Sequence, residues 1–248
     1  MTDWLDLAAC RGCQVLGFFL QSLPLETALG FGRNLGRLAF LISSRRHVAY
    51  ADMKAALGPA LNEKERWKAV RDHYANLGQV FVEILYFPKL NKALLEKMLR
   101  VDYLDQDDSA FKGDKGRIFL AGHFGNWEMM AAVPPRFSGR PMAVLARSQK
   151  FPRLNQFLNT LRESLGNPVI ARGIEIRNLL RSLRRKEWIA LLGDQDAGRQ
   201  AGIILPFFGR KTTVPTGPFE IAARTGTCVF VETVDELIAK LHNEATAI

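Results

Sequence analysis

Cysteine is scarce in this chain, and its scarcity excludes two kinds of small structural scaffold. The three cysteines among 248 residues cannot form a disulfide framework, and an odd number is typical of a reducing, cytosolic compartment. Cys10 and Cys13 have the spacing of half a zinc site, but the four histidines are scattered and supply no matching second pair. The sequence therefore predicts neither a disulfide scaffold nor a metal site.

The amino-terminal segment lacks both a secretory signal and an apolar run long enough to cross a bilayer. Asp3 and Asp6 precede its apolar stretch and no small-residue cleavage pattern follows, so we expect this segment to stay uncleaved. Gln21, Ser22 and Pro24 interrupt the stretch before it reaches the roughly 18–20 residues that span a membrane. Arginines in and after the next apolar segment favour helices lying among lipid headgroups, although an ordinary pair of packed helices has the same pattern.

Acidic residues are outnumbered, with 25 Asp and Glu against 34 Lys and Arg, which gives a net charge of +9. Such a chain favours polyanionic partners: nucleic acid, acidic carrier proteins, phosphorylated substrates or anionic lipid. Its basic residues are spread among apolar helices and are not interleaved with aromatic ones, which argues against nucleic acid. No G-x-S-x-G turn is present either, so a covalent serine route is not indicated.

The second half of the chain alternates short apolar strands with amphipathic helices, which predicts an α/β sheet with covering helices. Strands are predicted at 118–121, 142–146, 169–171, 188–192 and 228–232, and helices at 62–87, 127–133, 154–165, 176–183 and 218–224. Asn62 with Glu65 resembles a capping box at the start of the first helix, and Gly226 is the predicted stop of the last. The aromatic segment 206–209 is predicted to be a rigid turn, suited to an apolar ligand or to packing.

The stretch RIFLAGHFGNWEMMAAV, at 117–133, combines a buried strand, a glycine turn and two ionisable side chains. His123 follows the strand at its carboxyl end, where open α/β sheets place their chemistry. Gly125 permits a tight turn and Asn126 is a good N-cap, which places Glu128 in the first turn of a helix close to His123. A carboxylate hydrogen-bonded to one ring nitrogen would fix the tautomer and stabilise the imidazolium, so that the other ring nitrogen could act as a general base. A structural interpretation fits the same residues: His123 would be a turn residue hydrogen-bonded to backbone, and Glu128 would only offset the positive end of the helix dipole.

The string GHFGNWE at 122–128 resembles the HX4D/E motif of the lysophospholipid acyltransferase superfamily, in the version found in bacterial lipid A biosynthesis acyltransferases. The blocks LLGDQDAG at 191–198 and PFFGRKTTVPTGP at 206–218 follow in the family order, and the resemblance runs from about 101 to about 226. It implies a glycerol-3-phosphate acyltransferase-like fold, with a central, mostly parallel or mixed sheet covered by helices. The tail 233–248 does not follow the family pattern, so we expect a truncated or altered carboxyl terminus.

The resemblance implies an O-acyltransferase at the cytoplasmic face of the inner membrane. It would move a fatty acyl group from the thioester of acyl carrier protein to a hydroxyl of a lipid A precursor, without cofactor or metal. His123 would be the base and Glu128 its partner. Two other interpretations stay open: another acceptor, either a glycolipid such as a phosphatidylinositol mannoside or an aminolipid, and an inactive relative that binds lipid or carrier protein.

Four more residues are predicted to bind substrate. Arg147 ends a strand and corresponds to an arginine that the family carries there, and its fork of donors suits a phosphate or a carbonyl oxygen. Arg172 is a second candidate for this role. Asp194 and Gln195 end another strand and resemble the DQ element of the family, where they would orient an arginine or a sugar hydroxyl, or cap the next segment.

We expect two parts in the chain, a membrane-associating helical segment at 1–44 and an acyltransferase domain at 45–248. The domain would begin with helices at 45–100 and continue as an α/β core at 101–232. Within this core, the arginine-bearing helix face at 177–185 is either a solvated surface or a contact for an anionic surface or carrier.

Overall fold

The computed structural model describes residues 2–58, 60–91, 93–95, 115–131, 139–146, 149–171, 175–195, 198 and 202–231. The features predicted at Arg147, at Arg172 and in the tail 233–248 lie outside this range, as do the last two residues of the helix predicted at 127–133.

The centre of the structure is a five-stranded sheet in which every neighbouring pair of strands is parallel. The strands of the structure are β1 Arg117–Ala121, β2 Met142–Ala146, β3 Val169–Ala171, β4 Trp188–Leu192, β5 Gly202–Phe207, β6 Arg210–Pro215 and β7 Cys228–Val231. The sheet order is β3-β2-β4-β1-β7. Its strands are apolar along most of their length because helices cover the sheet. The predicted α/β class with a mostly parallel central sheet is confirmed.

Strands β5 and β6 form a separate antiparallel hairpin that the sequence reasoning did not predict. Its turn lies at Phe208 and Gly209, which both have positive φ, at 49° and 71°. The rings of Phe207 and Phe208 contact each other edge to face, with centroids 4.7 Å apart, and both side chains are exposed. The predicted aromatic turn is therefore the tip of a hairpin.

The helices whose bounds the structure describes lie before the first strand of the sheet and between later strands. They are α1 Thr2–Gln21, α2 Leu25–Ile42, α3 Arg46–Leu57, α4 Glu63–Tyr86, α5 Trp127–Met130, α6 Pro152–Glu163, α7 Glu175–Arg184 and α8 Gly217–Thr225. A capping box between Asn62 and Glu65 starts α4, as the sequence predicts, and a 3₁₀ turn containing Pro88 follows its end. Gly226 ends α8 in the left-handed conformation, with φ of 64°.

Helices α2 and α4 cross with their backbones in contact. A Cβ placed on Gly36 would lie 2.0 Å from the carbonyl oxygen of Tyr74, and one on Gly78 would lie 2.1 Å from that of Gly32. Any larger side chain would force the helices apart, so these glycines set the crossing distance. The helices enclose an apolar core around Leu20 and Leu85, both of which are fully buried.

Helix α1 is joined to α6 by a buried carboxylate. Asp6 is 3% exposed and accepts hydrogen bonds from the backbone N–H groups of Arg153 and Leu154, at 2.9 and 3.1 Å. Phe151, at the N-cap of α6, makes no side-chain cap of its own. Asp6 therefore caps α6 from a distant part of the chain, and the guanidinium of Arg153 reinforces the contact by pairing with Asp3.

In the part of the chain that the structure describes, we find no helix with the length and hydropathy needed to cross a bilayer. The first two helices nevertheless expose large apolar side chains. Trp4, Val15 and Phe18 on α1 are 60%, 69% and 81% exposed, and Leu41 and Ile42 on α2 are 63% and 78% exposed. Trp4, Val15 and Phe18 lie on one side of α1, because separations of eleven and three residues are close to whole turns.

Candidate active site

Two neighbouring parallel strands bring the key side chains together. In the pairing of β1 with β4, Ala121 lies opposite Leu192. The N–H of Gly193 donates to the carbonyl oxygen of Ala121, at 3.0 Å, so the two chains stay in register past the strand ends. His123 and Asp194 each lie two residues beyond this pair, which places them side by side at the carboxyl edge of the sheet.

His123 makes a two-point contact with Asp194. Its Nδ1 lies 2.7 Å from Asp194 Oδ1, and its backbone N–H donates to Asp194 Oδ2, also at 2.7 Å. The two side chains are 28% and 32% exposed, so solvent and substrate can reach them. A proton on Nδ1 satisfies the carboxylate and leaves Nε2 as an acceptor. The amide nitrogen of Gln195 lies 3.4 Å from that Nε2.

Local residues hold the histidine in this orientation. The ring of Trp127 contacts the His123 ring edge to face, with centroids 5.0 Å apart. A Cβ on Gly122 would lie 2.3 Å from the ring of Phe124 and 3.2 Å from Asp194 Oδ2, so only glycine fits between strand and histidine. Gly125 has φ of 52°, the left-handed conformation that the sequence reasoning expected of a turn glycine.

The carboxylate of Glu128 pairs with an arginine and not with His123, so the predicted contact between them is not made, and the catalytic role of Glu128 stays a prediction. Glu128 lies in the first turn of α5, but its carboxylate forms a two-point ion pair with Arg162 of α6, at 2.6 and 2.8 Å. Both side chains are nearly buried, at 11% and 13% exposure. Two causes explain the difference: the planar guanidinium matches the carboxylate and compensates its burial, and Asp194 already occupies His123 Nδ1.

Glu83 of α4 is a second acid that supports the histidine turn, and the sequence did not predict this role. The Oδ1 of Asn126 accepts the N–H of Met129 at 2.9 Å, which confirms the predicted N-cap, while its Nδ2 donates to Glu83 Oε2. Burial raises the pKa of Glu83, and the hydrogen bond from Asn126 works against that rise. The signal for this residue was a single carboxylate between Val82 and Ile84 on an apolar helix stripe.

The predicted substrate-binding residues have different outcomes. Asp194 and Gln195 lie beside His123, at the predicted strand end, and Asp194 contacts the histidine itself. Arg147 and Arg172 lie outside the described residues. The described side chains include no group of three or more His, Cys, Asp or Glu residues that could hold a metal ion.

The pairing of His123 with Asp194 had a signal in the sequence. Each follows a glycine that ends a buried apolar strand, as AGH at 121–123 and LGD at 192–194. Parallel strands end at the same edge of a sheet, so two such endings can meet. Their contact still depends on β1 and β4 being neighbours, which the strand sequences alone do not state.

Several known proteins are similar to this chain in sequence. The phosphatidylinositol mannoside acyltransferase of Mycobacterium tuberculosis is 28% identical over 155 residues, which cover 60% of this chain and 48% of that protein. The lipid A biosynthesis palmitoleoyltransferase of Escherichia coli is 23% identical over 225 residues, 90% of this chain and 72% of that protein. The lipid A biosynthesis myristoyltransferase of the same organism is 26% identical over 214 residues, 86% of this chain and 64% of that protein.

The match therefore spans about half the length of the mycobacterial relatives and more of the enterobacterial ones. The family model for bacterial lipid A biosynthesis acyltransferases matches residues 7–234, which includes the helical segment, the sheet and the histidine turn. The chain belongs to the bacterial lipid A biosynthesis acyltransferase family.

Proposed function

We propose that this protein is an O-acyltransferase that moves a fatty acyl group from the thioester of acyl carrier protein to a hydroxyl of a lipid A precursor. The observation that carries the proposal is the contact between His123 Nδ1 and Asp194, at 2.7 Å on the exposed carboxyl edge of the sheet. It leaves Nε2 as the proton acceptor of the ring, which is what a direct attack by a substrate hydroxyl requires.

In the proposed reaction, Nε2 of His123 removes the proton of the acceptor hydroxyl as its oxygen attacks the thioester carbonyl. Asp194 stabilises the imidazolium that forms and keeps the ring in the productive tautomer. The tetrahedral intermediate then collapses, the carbon–sulfur bond breaks, and the thiolate takes the proton back from His123. An ester and a free thiol result, with no enzyme-bound acyl group, no cofactor and no metal.

The remaining residues have supporting roles in this proposal. Glu128, paired with Arg162, fixes α5 against α6 and so holds the turn that carries His123. The amide of Gln195, 3.4 Å from Nε2, is placed to orient the incoming hydroxyl. Arg147, which corresponds to an arginine of the family, is proposed to stabilise the oxyanion or a substrate phosphate, and Arg172 is a second candidate for this role.

We propose that α1 and α2 bind the cytoplasmic face of the inner membrane. Phe18 and Ile42, 81% and 78% exposed, are unfavourable in water and suited to the acyl boundary of a lipid leaflet. Arg33, Arg37 and Arg45 are exposed on or next to α2, where they can meet lipid phosphate. A lipid acceptor would then approach the active site from the leaflet.

A second acceptor class has its own support. The mycobacterial relatives with 28% identity are named for phosphatidylinositol mannoside, whose hydroxyls belong to a sugar. A mannose hydroxyl can be activated by the same histidine, so the chemistry is unchanged and only acceptor recognition differs.

The decisive experiment is transfer from acyl carrier protein bearing a labelled acyl chain, with mass spectrometry of the lipid products. Lipid A precursor, phosphatidylinositol mannoside and an aminolipid are offered in parallel. We expect an ester product with lipid A precursor, and its loss in His123→Ala. Transfer only to the mannoside supports the second acceptor, whereas binding of carrier protein without any transfer indicates an inactive relative and refutes the enzyme assignment.

A further inference from the structure

Helix α7 displays a straight row of exposed arginines. Arg177, Arg181 and Arg184 follow the i, i+4, i+7 spacing of one helix face, and all three side chains are exposed. Leu179 and Leu183, on the opposite side, are buried against the central sheet. The apolar side therefore fixes the rotation of α7, and the arginine row must point outward.

The charge of this row is offset in part: helix α7 carries one acid, Glu175, against the three arginines. None of the three guanidinium groups pairs with a described carboxylate, and the one side-chain hydrogen bond among them runs from Arg181 to Asn178, at 3.0 Å. The neighbouring Arg185 differs, because Glu187 accepts two hydrogen bonds from it, at 2.7 and 3.1 Å. Arg177, Arg181 and Arg184 thus form a local surplus of positive charge.

A second helix provides an internal comparison. Lys64, Lys68 and Arg71 on α4 have the same i, i+4, i+7 spacing and are also exposed. Acidic residues on the same helix turns offset them: Glu63, Glu65 and Asp72, the last of which lies 3.5 Å from Arg71. The spacing alone is thus not unusual, and the distinguishing feature of α7 is that its three arginines share the helix with one acid, Glu175.

The row starts near the proposed catalytic edge. Helix α7 begins after β3, whose carboxyl end lies at the same edge of the parallel sheet as His123. In the order β3-β2-β4-β1, three strand spacings separate β3 from β1, or about 14 Å. From Arg177 the row runs about 10 Å along the helix away from that edge. A thioester on a flexible arm can cover such a span from a docked carrier.

We propose that the arginine row of α7 is the docking face for an acidic helix of the acyl-carrying protein that donates the acyl group. This inference rests on the proposed function, whose donor is a carrier-bound thioester. Charge complementarity supports it, since guanidinium groups pair well with carboxylates along a helix. A membrane is the less favoured partner, because the large exposed apolar side chains of α1 and α2 have no counterpart among the described side chains of α7.

The test compares two triple charge reversals of identical size and spacing. R177E/R181E/R184E alters α7, and K64E/K68E/R71E is the matched control on α4. Three measurements follow: the Kd for acyl carrier protein, the KM for acyl carrier protein against that for the same acyl chain on free pantetheine, and binding to anionic vesicles. The milder R177Q/R181Q/R184Q variant replaces the reversal if circular dichroism shows that the latter does not fold.

We expect the α7 reversal to raise the Kd and the KM for the carrier about tenfold or more. The KM for the acyl-pantetheine donor and the binding to vesicles should stay unchanged. The control should change the carrier Kd by much less. Equal losses in both variants, an unchanged carrier Kd, or a loss of vesicle binding instead would overturn the proposal. If the wild type binds carrier through α7 but transfers from neither donor, the docking face stands and the proposed function fails.

Discussion

The carboxylate of Asp194 holds His123 at two points, the ring Nδ1 and the backbone N–H, both at 2.7 Å. One side chain thus fixes the position of the strand end and the tautomer of the base together. Because the two residues belong to neighbouring strands, any change in the register of β1 and β4 would separate them.

The first prediction concerns this pair. Asp194→Asn should lower kcat by about 10²–10⁴-fold, since an amide does not stabilise the imidazolium and can hold the wrong tautomer. The H123A/D194N double variant should be no slower than His123→Ala, because the two residues act as a unit. If single-turnover assays show that the rate loss of the double variant equals the product of the two single losses, Asp194 acts independently of His123.

The second prediction separates structural support from catalysis at Glu128. Removing one partner of its nearly buried pair with Arg162, by Glu128→Gln or Arg162→Met, should cost about 3–5 kcal/mol of unfolding free energy. The E128Q/R162M variant should recover most of that loss, which urea unfolding would measure as a double-mutant cycle. A large fall in turnover for E128Q at unchanged stability would instead favour direct action on His123.

The third prediction tests the crossing of α2 with α4. Gly36→Ala should destabilise the protein by about 1–3 kcal/mol or more, because its Cβ would lie 2.0 Å from a backbone oxygen. Gly30→Ala on the same helix is the matched control, since nothing lies within 4 Å of a Cβ there. It should stabilise the helix by about 0.5–1 kcal/mol. Thermal unfolding would measure both variants, and a shift of Tm in the same direction for both would contradict the close crossing.

The fourth prediction is a pH dependence set by Glu83. Burial raises its pKa above the ordinary value of 4.5, so the folded state binds this proton more tightly than the unfolded state does. Its contribution to stability is therefore present at low pH and is lost as pH rises through the raised pKa. Glu83→Gln keeps an acceptor for Asn126 without the charge, so its stability relative to wild type should increase with pH from about 4.5 upward. The check is the unfolding free energy of both proteins as a function of pH. A difference between them that stays constant with pH would show that the charged form of Glu83 is not destabilised in the folded state.

Much of the local structure could be predicted from the order of residues. The strands 142–146, 169–171 and 188–192 coincide with the predicted ones, and the capping box of α4 and the glycine stop of α8 lie where the sequence placed them. Each of these features depends on neighbours a few residues away, through alternation, helical spacing or a cap, and such interactions can be seen in a linear string.

The partner of His123 could not be obtained in this way. Glu128 is five positions away in the chain and was the natural candidate, whereas Asp194 is 71 positions away and contacts the ring only because β4 lies beside β1. The same holds for Asp6 at the start of α6, for Glu83 at Asn126 and for Arg162 at Glu128.

Sequence alone determined the histidine turn, the glycines that shape it and the alternation of strands and helices, because short-range sterics and periodic burial are encoded residue by residue. Tertiary structure decided which acid reaches which base. That choice depends on strand order, on register and on which of two carboxylates, Asp194 or Glu128, reaches His123, and none of these is a property of any one segment.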